Sequence, residues 1–223
     1  MTLRLCLKEL RENALWALIA LVVALLVVLT HALPRLAWAA GLDVGTYNTL
    51  QQSGIHGMPL LEPMGVFVLL CAVWGAALGL VGHVVERARN TYQVLVTLPT
   101  TRGRVFLAKT GVGLVLYFAS VGIPFAVQVY LAATPGRYPG PFRWWMVGPG
   151  LAAICGGACA YGAAVLTALR LARWYATRGL PLVVAAAVCL WAPERGMLGA
   201  AVALTGAAVM LWGALTALEK RDF

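Results

Sequence analysis

Cys155 and Cys159 stand four residues apart in the stretch "GPGLAAICGGACAYGAA", so on a helix their sulfurs share one face. That is a spacing from which two thiolates can begin a metal site, but no His or carboxylate accompanies them, and thiols in an apolar run pack as small hydrophobic side chains. A second group, Ser53, His56 and Glu62, has the residue types of a nucleophile, a base and an acid. Its spacing matches no nucleophile elbow, and the chain holds neither an H-E-x-x-H pair nor a G-x-x-x-x-G-K-[ST] phosphate loop. It therefore does not hydrolyse ATP by that machinery, and its one catalytic option is an intramembrane reaction on lipid or peptide at Ser53, His56 and Glu62.

The apolar runs are equally spare. Their interiors contain no Asp, Glu, Lys or Arg, whereas ion-coupled carriers commonly place ionisable groups at mid-membrane depth. Their polar residues are Tyr117, Ser120, Gln128 and Tyr130 in one run, Tyr161 and Thr167 in the next, and Thr205 in the last. An unpaired amide is costly to bury, so Gln128, and with it Tyr117, is read as lining a pathway or bonding a neighbouring helix. The three histidines, His31, His56 and His83, are scattered.

Of 223 residues, 61% are hydrophobic and 11% charged, against roughly a quarter charged in soluble domains. Runs of about 18 apolar residues cross the roughly 30 Å hydrocarbon core as helices, which satisfy their own backbone hydrogen bonds where water is absent. Six candidates occur, at 14–31, 64–84, 105–133, 144–169, 179–192 and 197–218. The fifth has only 14 residues between Arg178 and Pro193, about 21 Å of helix, and gains length when drawn back to 176–192. Left short, it would be a re-entrant segment, and the tail would leave on the opposite side.

Charge selects between these topologies. With six spans, 13 of the 17 basic residues fall on the side of the N-terminus, leaving Arg35, Arg137, Arg143 and Arg195 on the other. Short basic loops stay cytoplasmic, so both termini are expected inside a plasma (inner) membrane. The formal charge of +9 then needs no nucleic-acid partner: it is mostly the positive-inside bias, and the basic loops can also attract anionic membrane lipid.

The lead, residues 1–13, is expected to be an amphipathic elbow helix on the inner surface, with Leu3, Cys6, Leu7 and Leu10 on one face and Arg4, Lys8, Arg11 and Glu12 on the other. Its acidic residues and the length of the following run disfavour a cleaved signal peptide, despite Ala37-Trp38-Ala39. The five cysteines give no disulfide framework. The stretch 31–63 is too short for a further domain, so residues 1–223 read as one all-α membrane domain. Small residues in the second and fourth runs, around Gly75, Gly79 and 148–164, let backbones approach closely, within the chain or against a second copy.

Between the second and third runs the chain reads "GHVVERARNTYQVLVTLPTTRGRV". Asn90 is a good N-cap with Gln93 in capping-box spacing, and Pro99 stops what it starts, which predicts a short helix over 91–98. Thr91, Val94, Leu95 and Leu98 form its stripe, with Tyr92 and Val96 on other faces. So apolar a helix outside the hydrocarbon needs a partner, either the lipid headgroup layer or a groove on a cytoplasmic protein. Arg102, Arg104 and Lys109 are expected to keep their heads at the inner surface.

The pattern E-R-x-x-N-T-x-x-x-L-x-x-L-P-x-x-R-x-x-x-x-x-x-K, from Glu86 to Lys109, resembles the loop after the second span of ABC type-2 permeases. The lead "LKELREN", six spans in a chain of this size and the tail "EKRDF" resemble that family too. The resemblance implies a half-transporter, usually an exporter, that pairs with a second permease copy or similar chain. It implies a cytoplasmic coupling loop over 86–104, with Glu86, Arg87, Thr91, Val94, Leu95, Leu98, Pro99 and Arg102 docking a separate ATPase subunit that binds the ATP. This chain itself would then bind no cofactor and be no enzyme. It departs from the family in having only residues 193–196 between the last two runs, where relatives often carry outer re-entrant helices. A family member that anchors or senses without transporting would read the same.

Overall fold

The computed structural model describes residues 2–39, 64–88, 102–134, 142–170 and 175–219. Among them there is no strand. Six helices follow one another: α1 (Thr2–Ala39), α2 (Met64–Ala88), α3 (Arg102–Ala133), α4 (Val147–Leu169), α5 (Tyr175–Trp191) and α6 (Met197–Glu219). A 3₁₀ turn, Trp144–Met146, leads into α4, and another, Ala192–Arg195, joins α5 to α6. Four helical stretches, Met64–His83, Gly103–Ala133, Trp144–Leu169 and Met197–Glu219, are long and apolar enough to cross a membrane, and the chain is a membrane protein. Asn13–Leu29 in α1 is apolar but shorter.

In lipid, large apolar side chains gain nothing by leaving the surface, so small residues collect where helices meet. α4 carries this furthest: from 152 to 165 every residue but Cys155 is buried. On α2, a Cβ added at Gly75 would strike the carbonyl of Gly157, and one at Gly79 would lie 2.6 Å from the carbonyl oxygen of Tyr161 and 2.8 Å from Ala164 Cβ. Facing α6, a Cβ at Gly162 would be 3.1 Å from the carbonyl oxygen of Ala207, and Gly206 faces Cys159. Both small-residue stretches singled out in the sequence thus meet other helices of the same chain.

The contacts also fix directions. Pairs rise together between α2 and α4 (Gly75 with Gly157, Gly79 with Tyr161) and between α4 and α6 (Gly148 with Gly196, Gly162 with Ala207), so these helices run parallel. α3 runs against α4, since Tyr117 donates to the Ile154 carbonyl at 2.9 Å and Tyr161 to that of Thr110 at 3.3 Å. α5 does the same. Near its start Arg178 Nε donates to the Thr167 carbonyl at 3.1 Å, its Cys189 packs on Gly156, and Gly196 just beyond it lies against Gly148. Arg178 thereby supplies donors to the unsatisfied carbonyls at the C-terminus of α4. Gly196 has φ 55°, a left-handed conformation that favours glycine, and this turn starts α6.

α1 packs along α3. Its buried residues, Glu9, Ala17, Ala20, Ala24 and Val28, form the inward stripe, while Leu15, Leu18, Ile19, Val22 and Leu26 face out. The lead differs from expectation in one way. It is not a separate helix, because α1 runs unbroken from Thr2 past His31 to Ala39, with no Gly or Pro near residue 13 to turn the chain into an elbow. Leu7 and Leu10 are exposed, while Glu9 is buried on the side that meets α3.

Replacing Gly157 by Val drives a side chain into the Cys71 carbonyl and the Tyr117 hydroxyl. Overpacking costs typically 1–3 kcal/mol, so thermal unfolding in detergent should show a loss of at least about 2 kcal/mol, and Gly111→Ala, where a Cβ meets nothing within 4 Å, should stay within about 1 kcal/mol of the parent.

Candidate functional site

The chemistry-bearing groups gather where α2 ends and α3 begins. Phe106, Lys109, Gly113 and Tyr117 succeed one another at three- and four-residue steps along the buried face of α3, which carries Lys109 into the bundle. Its Nζ lies 3.7 Å from Glu9 Oε2 on α1, with the two side chains only 4% and 2% exposed. Stripping water from two charges costs several kcal/mol for each, and only their pairing with other groups offsets it. Asn13, one turn along α1 from Glu9, donates Nδ2 to the Glu9 carbonyl at 3.0 Å.

α2 contributes His83, buried, with Nδ1 3.2 Å from the Gly79 carbonyl oxygen and its ring 6.4 Å from that of Phe106. α4 contributes Tyr161, whose hydroxyl reaches the Thr110 carbonyl and sits where a Cβ on Gly113 would be. Four helices therefore meet at one polar junction. A crevice between them, lined by Asn13, His83, Lys109 and Tyr161, has room for about one water molecule. The junction holds an ion pair, an imidazole and a phenol, which suits hydrogen bonding and charge pairing between helices. Among the described residues no three of His, Cys, Asp and Glu gather as metal ligands.

The expectation for Lys109 is corrected by this geometry. Its head is inside the bundle and not at the surface, because its helical position faces α1 and α1 brings a carboxylate to meet it. Tyr117, about two turns further along α3, bonds across to α4 through the Ile154 carbonyl. Gln128 is buried on α3 beyond Pro124, through which the helix continues. Glu86 and Arg87 lie in the last turn of α2, and Arg102 is the first residue of α3. Thr91, Val94, Leu95, Leu98 and Pro99 lie outside the described residues, as do Ser53, His56 and Glu62. Cys159 is buried facing Gly206, and Cys155 is half-buried.

Sequence reasoning missed Glu9, His83 and Tyr161 as partners of Lys109. A signal existed for the first: Cys6, Glu9, Asn13, Ala17, Ala20, Ala24 and Val28 make an unbroken three- and four-residue stripe of small and polar residues, the kind that packs inward in lipid.

A double-mutant cycle on Glu9→Gln and Lys109→Met tests the pair. Either change alone leaves the other charge buried without its partner and should lower stability in detergent by about 3 kcal/mol. The double variant should cost at least about 1 kcal/mol less than the sum of the singles; additive losses would mean that the two side chains do not interact.

No protein-family model, no curated protein and no solved structure matches the chain.

Proposed function

We propose that the chain is the membrane-spanning subunit of an ABC transporter, an export-type permease half that works with a second permease copy and is driven by a separate ATPase docked on the loop of residues 86–104. The observation that carries this reading is the junction at the root of that loop. α2 enters the loop from His83 and α3 leaves it toward Lys109, and these two residues line the same crevice as groups on α1 and α4. Force applied to the loop would reach four helices at once, which a coupling element requires: the ATPase must bind two helix packings with different affinity to drive a cycle between them.

Six crossings agree with the helix directions. α2, α4 and α6 run one way, and α3 and α5 the other. α1 joins α3 and α5, because its long packing on α3 beyond the Glu9–Lys109 contact is impossible for an antiparallel pair when only the first residues of α3 precede Lys109. α5, about 25 Å of helix, is extended by the 3₁₀ turn and follows α4 from Thr167 to Gly148, which favours a full crossing over a re-entrant segment. Alternating helices and the basic bias support the reading in which both termini and the loop face the cytoplasm across an inner (plasma) membrane.

Co-purification with a separately expressed ATP-binding cassette ATPase subunit tests the assignment. Leu95→Asp with Leu98→Asp should weaken association at least tenfold, since losing an interface hot spot costs about 2 kcal/mol or more. Unchanged association would overturn the docking role of residues 91–98. ATP-dependent solute movement in vesicles separates a transporter from an anchor or sensor.

A further inference from the structure

The donors and acceptors around His83 lead beyond the permease reading and do not depend on it. A carbonyl oxygen only accepts, so the 3.2 Å contact from His83 Nδ1 to Gly79 requires the ring hydrogen on Nδ1. In the neutral ring Nε2 then carries a lone pair and must accept. Nε2 is fully buried, and among the described residues no donor reaches it. His83 lines the crevice that has room for about one water molecule, together with Lys109, Asn13 and Tyr161.

The chemistry of the lining selects the occupant. Glu9 and Lys109 carry opposite charges beside it, so the site attracts neither a cation nor an anion strongly. Its size excludes anything larger than water. Partners of both kinds are at hand: Nε2 accepts, the Lys109 ammonium donates, the Tyr161 oxygen, having given its hydrogen to the Thr110 carbonyl, accepts, and the Asn13 amide has a second N–H beyond the one bound to the Glu9 carbonyl. A buried water typically makes two to four such bonds.

We infer that this crevice is a binding site for a single water molecule, held between His83 Nε2 and Lys109, which links α2 to the α1–α3 ion pair. Lys109 is then tied to α1 directly through Glu9 and to α2 through water. A bridge of this kind can be remade after small helix shifts, unlike a direct contact of fixed geometry.

Nitrogen NMR of the full chain in lipid, with ¹⁵N-labelled histidine and with His31→Gln and His56→Gln so that His83 is the single histidine, reads the site directly. The expected result is a protonated Nδ1, an Nε2 resonance displaced from that of a free acceptor, and magnetisation transfer from water protons to the ring. Lys109→Met should return the Nε2 resonance toward the free position. A protonated Nε2, or an unprotonated Nε2 that receives no transfer from water, would overturn the assignment; the latter includes a direct bond from Lys109. Should the doubly substituted chain not fold, the same transfer is sought among the three histidines of the unaltered chain, with Lys109→Met marking the one that changes.

Discussion

The whole arrangement rests on how closely the backbone of α4 is approached from both sides. Where Gly75 meets Gly157 there is no room for a side chain at the glycine, and where Gly162 meets Ala207 the fit is tight, so the helices approach main chain to main chain. In water such contacts would be supplementary to a hydrophobic core. In lipid they take its place, because a leucine turned inward has left one apolar medium for another, and dispersion at close range is what distinguishes the packed state. The distribution of residue sizes follows. α4 is nearly all Gly, Ala and Cys through its middle, while the helices around it show leucine and valine to the outside.

A core made in this way fixes shape but offers little chemistry, which gives the polar junction its significance. The ion pair between the buried side chains of Glu9 and Lys109 joins α1 to α3 at the end of the bundle where α2 stops and α3 starts. Buried charges are poor stabilisers compared with well-packed apolar groups, and they specify partners instead. Glu9 meets Lys109 in this register of α1 on α3, so the pair opposes sliding of α1 along its neighbour. Tyr117 and Tyr161 perform a similar office for α3 on α4, each bonding a carbonyl of the opposite helix.

Much of this was legible in the sequence, and the failures have a common origin. The four long apolar helices could be counted from run length, and the small residues of 148–164 announced a helix that others approach closely. Which helix approached was hidden, since glycine spacing marks a contact surface without naming its partner. Lys109 was misread because a charge near the end of an apolar run ordinarily snorkels to the surface, and only the neighbouring helix reveals a carboxylate in reach. The lead was read as a separate helix because its charges and leucines fall on two faces, a pattern that does not say whether the helix runs on into the next apolar run, as it does here. The fifth run could not be judged by length. Its contacts with α4 at Thr167, Gly156 and Gly148 carry the information that 14 apolar residues do not.

The claim on which both the architecture and its proposed use depend is that α5 crosses, leaving the loops on alternating sides. Single cysteines placed at Leu95, Ala172, Arg195 and Arg221 in an otherwise cysteine-free chain, labelled in sealed vesicles by a membrane-impermeant thiol reagent, measure this most directly. The account requires positions 95, 172 and 221 to label from the cytoplasmic side and position 195 from the other. Labelling of positions 172 and 195 from the same side would contradict it.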